Sequence, residues 1–387
     1  MSIESSCVQA ASLRLHAYLC QKHWTGQALS GPDPVGKIQW RITRFVRSYL
    51  PALPNDDQFI YLQGQAYWIR SNLLLRELTG DDRYLDDVVA CADAMVARQP
   101  ANGAWVHPPV RERRGFISTV EGVWGSLGLT AAYRATGTCA YLEAAQRWYE
   151  FQIQGVGFQM VGEGLAPNYY THSTIAVPNV TTMLIWLTHE LAQLTGDQRY
   201  LEYTERMLTF VEQSQLPSGE LPYIHLTRPH FMCFQYNSYQ LLDLIHAYEL
   251  RPSERLYALL QKLALFVSTG VLPNGSCRYD CFKATPEVNY WNAAIGDALR
   301  RAHKLGLGDY LPLSERAYDR VLTQQRSDGS FLFSRYNYRF LSDRRSYPRY
   351  LAMILHHLLS RVEQRPSSSP AVGLAAKVSE PRNLALA

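Results

Sequence analysis

The chain has 387 residues, 47% hydrophobic, 19% charged and 12% aromatic, with 38 Lys and Arg against 34 Asp and Glu. A formal charge of +4 spread along the sequence is too small and too mixed for a nucleic-acid or anionic-membrane surface, so neither partner is expected. No apolar run reaches the ~18 residues of a membrane span, and Met1-Ser2-Ile3-Glu4 lacks the basic and apolar segments of a signal peptide, which predicts a cytoplasmic protein.

Apolar residues recurring at three and four predict helices over 7–23, 35–49, 62–78, 82–98, 119–135, 140–153 and 176–194. The same pattern continues over 198–213, 233–249, 254–268, 288–304, 311–325 and 347–362, with minimal strand. Residues 1–34 read as an N-terminal helical extension, 35–363 as the main domain, and 364–387, polar and rich in Pro and Ser, as a disordered tail. Seven cysteines, an odd number lying mostly in apolar segments, read as free thiols. Cys277 and Cys281 are separated by three residues rather than the two of a zinc knuckle, so no metal is expected there, and no cofactor is called for.

The segments repeat. Leu78-Thr79-Gly80-Asp81-Asp82-Arg83-Tyr84-Leu85 returns as Ala135-Thr136-Gly137-Thr138-Cys139-Ala140-Tyr141-Leu142 and as Leu194-Thr195-Gly196-Asp197-Gln198-Arg199-Tyr200-Leu201. Each Thr-Gly ends one helix with a left-handed glycine, and the Asp after it caps the next. A second series, Asn102-Gly103, Gly155-Val156-Gly157-Phe158, Ser218-Gly219, Asn274-Gly275 and Asp328-Gly329, lies between these turns, which makes two helices per unit. Hairpins of this size cannot bury their apolar faces singly and must stack into a solenoid or close into a ring. Helices 62–78, 119–135, 176–194, 233–249, 288–304 and 347–362 form the more apolar, inner set of six. The other set has five members, and helix 35–49 is expected to complete it beside 347–362, sealing the ring.

Two-helix units joined by Thr-Gly-Asp-x-Arg-Tyr-Leu, with Gly-Ser/Ala-Phe/Trp at the far turn, resemble the six-hairpin glycosidase superfamily over about residues 35–362. That superfamily includes unsaturated glucuronyl hydrolases, N-acylglucosamine 2-epimerases, polysaccharide lyases and the helical domain of glucuronyl C5-epimerases. The resemblance implies an all-α (α/α)6 barrel, or toroid, and a carbohydrate-active enzyme. The superfamily's paired-Asp signature is not recognisable, so no residue role is carried over.

The connections from outer to inner helices, near 99–118, 154–175, 214–232, 269–287 and 326–346, are the long ones, and long loops on one rim build a site. They and the helix starts after them supply Trp105, His107, Trp124, Tyr169, Tyr170, His172, Asn179, Tyr223, Asn237, Asn289, Trp291, Asn292, Tyr336, Arg339 and Arg349 as candidate substrate-binding residues. Aromatic faces with amides and guanidinium groups suit sugar rings and carboxylates. Candidate catalytic residues are His225 and Tyr236 for proton transfer and Glu121 and Asp280 as a carboxylate pair. His356 and His357 read as helix-packing residues, and the Asp81/Asp82/Asp86/Asp87 run as caps and solvated surface.

The expected function is action on an oligosaccharide or a uronic-acid-containing glycan, by hydrolysis, β-elimination or epimerisation. A terpenoid-cyclase-like or prenyltransferase-like toroid enzyme, or a non-catalytic glycan- or protein-binding toroid, are the alternatives. The expected partner is an oligosaccharide or small anionic sugar; the sequence leaves the oligomeric state open.

Overall fold

The computed structural model describes residues 3–34, 38–50, 53, 57–108, 115–225 and 233–362. In chain order its helices are α1 (Ile3–Lys22), α2 (Ile38–Arg47), α3 (Leu62–Thr79), α4 (Arg83–Ala97), α5 (Thr119–Thr136) and α6 (Cys139–Phe151). There follow α7 (Pro178–Thr195), α8 (Thr204–Ser214), α9 (Cys233–Leu250), α10 (Glu254–Ser268), α11 (Asn289–Lys304), α12 (Leu311–Leu322) and α13 (Pro348–Arg361). Helices α3, α5, α7, α9, α11 and α13 pack side by side in that order, and α13 returns to α3, so the inner ring closes. The ring is an (α/α)6 toroid.

The repeated turns do what their residues dictate. Gly80, Gly137 and Gly196 end α3, α5 and α7 at φ 74, 72 and 74°, the left-handed region open to glycine. Asp81 and Asp197 accept the backbone N–H of Arg83 and Arg199 and pair with their guanidinium groups. The helix expected over 198–213 is interrupted: a 3-10 turn covers Gln198–Leu201 before α8 begins.

The second turn series locks one outer helix to the next and identifies the sixth. At Gly103, Gly219 and Gly275 a Cβ would lie 2.2 to 2.4 Å from the carbonyl oxygen of Arg147 in α6, Lys262 in α10 and Arg316 in α12. Gly329 makes the same approach to Arg14 in α1, at 2.6 Å. Gln99 donates to the Ala144 carbonyl at 2.9 Å, and Gln325 donates to that of Ala11 at the same distance. The outer place expected for 35–49 therefore belongs to α1, which packs on α13 and buries Leu15 and Leu19 completely. So α1 is part of the ring wall rather than an extension. The physical reason is area: two fully buried leucines alone are worth about 3–6 kcal/mol, whereas α2 leaves Ile42 and Val46 about half exposed.

Helix α2 lies instead over the long-loop rim, where Phe45 and Tyr49 meet Tyr338, Arg344 and Arg345. Among the described residues the strands are short and occupy the long connections. β1 (Phe158–Val161), β2 (Gly164–Tyr170) and β3 (Ser173–Ala176) form one antiparallel sheet in that order. β4 (Glu287–Val288), β5 (Ser334–Asn337) and β6 (Leu341–Asp343) form another. No helix among the described residues is long and apolar enough to cross a membrane. The tail expected over 364–387 lies outside the described residues.

Candidate functional site

The starts of the inner helices carry an aromatic cluster. Tyr236, in the first turn of α9, lies 4.3 Å from Tyr223 between ring centres, and both sit beside Tyr169 of β2. Tyr290 at the start of α11 lies 4.2 Å from Tyr350 of α13, and Trp291 stacks on Tyr279 at 5.1 Å. Burial raises the Tyr236 and Tyr290 phenols above their ordinary range, and the neighbouring Tyr350 phenol adds to the effect on both. Burial likewise raises the Tyr223 phenol, with the neighbouring Tyr169 and Tyr236 phenols adding to it. They stay protonated at neutral pH and can donate hydrogen bonds or a proton. Burial lowers the imidazole of His225, two residues after Tyr223, and keeps it neutral; its Nδ1 lies 3.0 Å from Ser214 Oγ.

Several buried polar atoms at the same end have no partner among the described residues. The side-chain oxygens of Asn179 and Gln235, both amide atoms of Asn289, the Trp291 indole N–H and the Arg349 Nε are buried and make no hydrogen bond with a described residue. These residues belong to the first turns of α7, α9, α11 and α13. A buried polar atom left unpaired costs about 1–3 kcal/mol, so a protein concentrates several of them only where a ligand or water completes the bonds.

Other expected site residues are absorbed by the fold. Glu121 accepts the Leu62 N–H at 2.6 Å and anchors the start of α3. Asp280 accepts the N–H groups of Phe282 and Lys283, both at 2.8 Å, and shapes its own loop. Asn237 clasps the backbone of Leu221, and Asn292 accepts from Cys277 N and donates to Glu287. Gln65 clasps Leu29 in the same way. These amides stand in the first turns of α3, α9 and α11, and Asn237 and Asn292 tie α9 and α11 to the turns of Gly219 and Gly275. Trp105 donates to Met95 O beside Trp148, His107 packs edge-on against Tyr61, and Trp124 packs on Tyr67 deeper along the axis. Tyr170 meets Phe116, and His172 is exposed nearby. Tyr336 and Arg339 occupy the exposed β5–β6 turn at φ 59 and 76°. Arg349 pairs with Asp33 at 2.8 Å beneath Tyr61 and Tyr350. Tyr236, Tyr223, Tyr169 and Trp291 thus gather at the helix starts, while Glu121 and Asp280 do not form a facing carboxylate pair.

Sequence reasoning missed the opposite end. A cavity of about 950 Å³ opens between the C-terminal halves of the inner helices, lined by Arg70, Glu249, Asp297, Arg301 and His356 among others. It narrows along the axis to Tyr67, Trp124, Trp186, Tyr239, Asp243, His246 and His357. His357 Nδ1 donates to Asp297 at 2.9 Å, Arg301 lies 3.3 Å from the same carboxylate, and His246 lies 3.4 Å from Glu249. Burial would raise the Asp297 carboxyl, but Arg301 and His357 outweigh it and hold Asp297 well below the usual range. Burial, with Arg301 adding to it, lowers His246 to about 4. The signal was available: charged residues recur at inward positions of helices otherwise apolar on that face.

Three sets of side chains among the described residues are close enough to share a cation: His16/Cys20/Asp87, Glu220/Cys233/Cys281 and Asp297/His356/His357. Cys281 faces Cys233, Sγ to Sγ 2.7 Å, rather than its sequence neighbour Cys277.

No protein-family model matches the chain, and no curated protein matches it in sequence. Solved structures match its shape. A sugar epimerase from a ruminal bacterium shares 12% identity over 92% of this chain and 98% of its own, with a TM-score of 0.71. Cellobiose 2-epimerase from Bacillus thermoamylovorans shares 13% over 92% and 99%, at 0.69, and a family 88 glycosyl hydrolase from Bacteroides vulgatus shares 14% over 83% and 97%, at 0.59. The chain has the six-hairpin toroid fold of these enzymes. At such identity the likeness concerns the fold, and the site must be argued from this chain's own residues.

Proposed function

We propose that the chain is a carbohydrate-active enzyme that binds an oligosaccharide or uronic-acid-containing glycan at the long-loop rim and moves a proton on it. The observation that carries this reading is the set of buried, unpaired amide, indole and guanidinium groups at the starts of α7, α9, α11 and α13, beside a floor of tyrosines. A polyhydroxylated ligand supplies the missing partners while its ring faces stack on Tyr236, Tyr290 and Trp291. The structural neighbours named as epimerases and a glycosyl hydrolase support a sugar as the ligand.

Among hydrolysis, elimination and epimerisation, the last two fit better. Hydrolysis needs two carboxyl groups flanking the bond, and Glu121 and Asp280 are committed to backbone N–H groups. Elimination and epimerisation need one group to take a proton from carbon and another to give one. In this reading neutral His225, two residues after Tyr223 and with its ring against Phe210 and Ser214 of α8, is the base, and the protonated Tyr236 phenol is the acid. For a uronide, the proposal assigns the carboxylate to Arg339, which is exposed on the β5–β6 turn.

A panel of uronides and neutral oligosaccharides tests this by thermal shift, since a ligand of the folded state raises the midpoint. At least one sugar is expected to raise it in the parent protein and less in Tyr236→Phe or Asn289→Ala. A panel without effect, or one whose effect both variants keep in full, sinks the reading.

A further inference from the structure

The opposite end of the ring carries a feature that the sugar site leaves unused. Of the arginines that line the cavity under the short turns, four are paired: Arg76 with Asp82, Arg134 with Glu190, Arg300 with Glu315, and Arg301 with Asp297 and Glu249. Arg70 is the exception. Its guanidinium lies 4.9 Å over the Trp186 ring, borders the cavity, and forms no ion pair with a described carboxylate. The charge of Asp297 acts on Arg70, but the bonds of its two oxygens run to Arg301 and His357.

Beside Arg70, two more groups are unspent. His356 Nδ1 and His357 Nε2 are buried and have no hydrogen-bond partner among the described residues, on residues 6% and 2% exposed. Both rings pack against Tyr67, one turn from Arg70 on α3. Burial, with Arg301 adding to it, works against the Arg70 cation, and the charges of Glu190 and Asp297 oppose that without forming an ion pair with it.

We propose that this cavity is a second ligand site, and that it takes a small oxyanion, a carboxylate or a phosphate, on Arg70. The fork of a guanidinium donates to two oxygens of either group side by side, and the Trp186 face beneath holds the fork flat. His356, in the tautomer that protonates Nδ1, donates a further bond. A metal ion is the wrong occupant: Asp297, His356 and His357 lie close enough to ligate one, but Arg301 stands 3.3 Å from the carboxylate and Arg70 faces the same space. A neutral sugar would leave Arg70 unmatched. The cavity's 950 Å³ accommodates an acid the size of a sugar acid or sugar phosphate. Tyr67, Trp124 and Tyr239 stand in the narrow part of the axis toward the tyrosine cluster, so the two sites are separate places on one molecule.

Titration calorimetry with inorganic phosphate and, separately, with glucuronate tests the proposal on the full chain. One of the two probes binds, and which one does assigns the oxyanion. Arg70→Gln weakens that binding by about tenfold or more, and Arg70→Lys, which keeps the charge and loses the fork, weakens it less. Asn289→Ala, at the other end, binds phosphate as the parent does. Absence of binding to both probes at about 10 mM, well above the usual range for a built site, overturns the proposal. So does undiminished binding in Arg70→Lys if Arg70→Gln fails to fold, or in Arg70→Gln if it folds. Loss of glucuronate binding in Asn289→Ala but not in Arg70→Gln places the uronate at the rim, which overturns this site and leaves the sugar reading standing.

Discussion

The two ends of the toroid are made by the same six inner helices, yet one is filled and the other open. At the helix starts, connections long enough to form two small sheets lay Tyr169, Tyr223 and Tyr279 over the axis, where they meet Tyr236, Tyr290 and Trp291. At the helix ends, the chain turns back within a few residues at Gly80, Gly137 and Gly196, so no loop among the described residues reaches the axis there and they leave a cavity. Connection length therefore decides which end has adaptable walls, and helix faces alone decide the chemistry of the other. Tyrosine and amide groups dominate the first; arginine, histidine and carboxylate the second.

The largest expected effect separates the two ends by function. Tyr236→Phe removes one oxygen at the rim and should lower turnover of the responsive sugar by about 10²–10⁴-fold if the phenol gives a proton. Arg70→Gln should leave that turnover within a factor of about three, as expected for a residue outside the reacting set. Steady-state rates of both variants decide the matter. If Arg70→Gln loses turnover and Tyr236→Phe keeps it, the reaction runs at the short-turn end and the comparison is inverted.

A smaller but still large effect concerns stability at the cavity. Asp297 is 2% exposed and binds both His357 and Arg301. Asp297→Asn takes from the buried Arg301 guanidinium its nearer carboxylate and leaves Glu249 at 3.7 Å, so the loss should approach, without exceeding, the cost of a broken buried pair, about 3–5 kcal/mol. Urea unfolding should report that loss. Asn289→Ala at the other end should cost little, or stabilise, because its amide makes no bond with a described residue.

Acid should act mainly through the imidazoles. Burial lowers His16, His23, His189, His225, His246 and His356, with His23 and His246 brought to about 4. A histidine lowered on folding contributes stability above its unfolded value near 6.5 and loses it as pH falls toward the folded value. Each contributes a slope of at most about 1.4 kcal/mol per pH unit. Asp243, Asp87 and Glu77, raised by burial, work in the opposite direction. Six groups against three predict a urea midpoint that falls between about pH 6.5 and 4; a flat profile there would mean that these rings are solvated.

Much of the ring was legible because its signals are local and repeated. Thr-Gly-Asp at 57- and 59-residue spacing marks helix ends through glycine's left-handed φ, a property of the residue itself. The choice of α1 rather than 35–49 as the sixth outer helix was not local. It rests on Gly329 meeting Arg14 and Gln325 meeting Ala11, contacts more than 300 residues apart in sequence. The rim residues were found by type, but type did not separate ligand groups from clasps. Asn289 and Asn292 look alike in sequence, and only packing shows that Asn292 is tied to Cys277 and Glu287 while Asn289 is unpaired. The cavity was missed because His356 and His357 sit in an apolar helix, where burial reads as packing.

The smallest expected effect tests whether the short turns themselves belong to the cavity's function. Asp82 and Asp197 lie in the turns that border the open end, yet their bonds stay within the turn: Asp82 meets Arg76, and Asp197 holds Arg199 and its backbone N–H. Both pairs face solvent, where such contacts contribute little because water and salt screen them. Asp82→Asn and Asp197→Asn should therefore shift the melting midpoint slightly and leave both rim sugar binding and phosphate binding at the parent value. Because Asp82 neutralises Arg76 at the cavity mouth, Asp82→Asn also measures how far the site senses charge beyond Arg70. Phosphate affinity that rises several-fold in Asp82→Asn would show that the oxyanion is held by the whole ring of cations at the mouth, and the single-arginine site would give way to a diffuse one. An unchanged affinity at both low and physiological salt confines the site to Arg70 and its histidines.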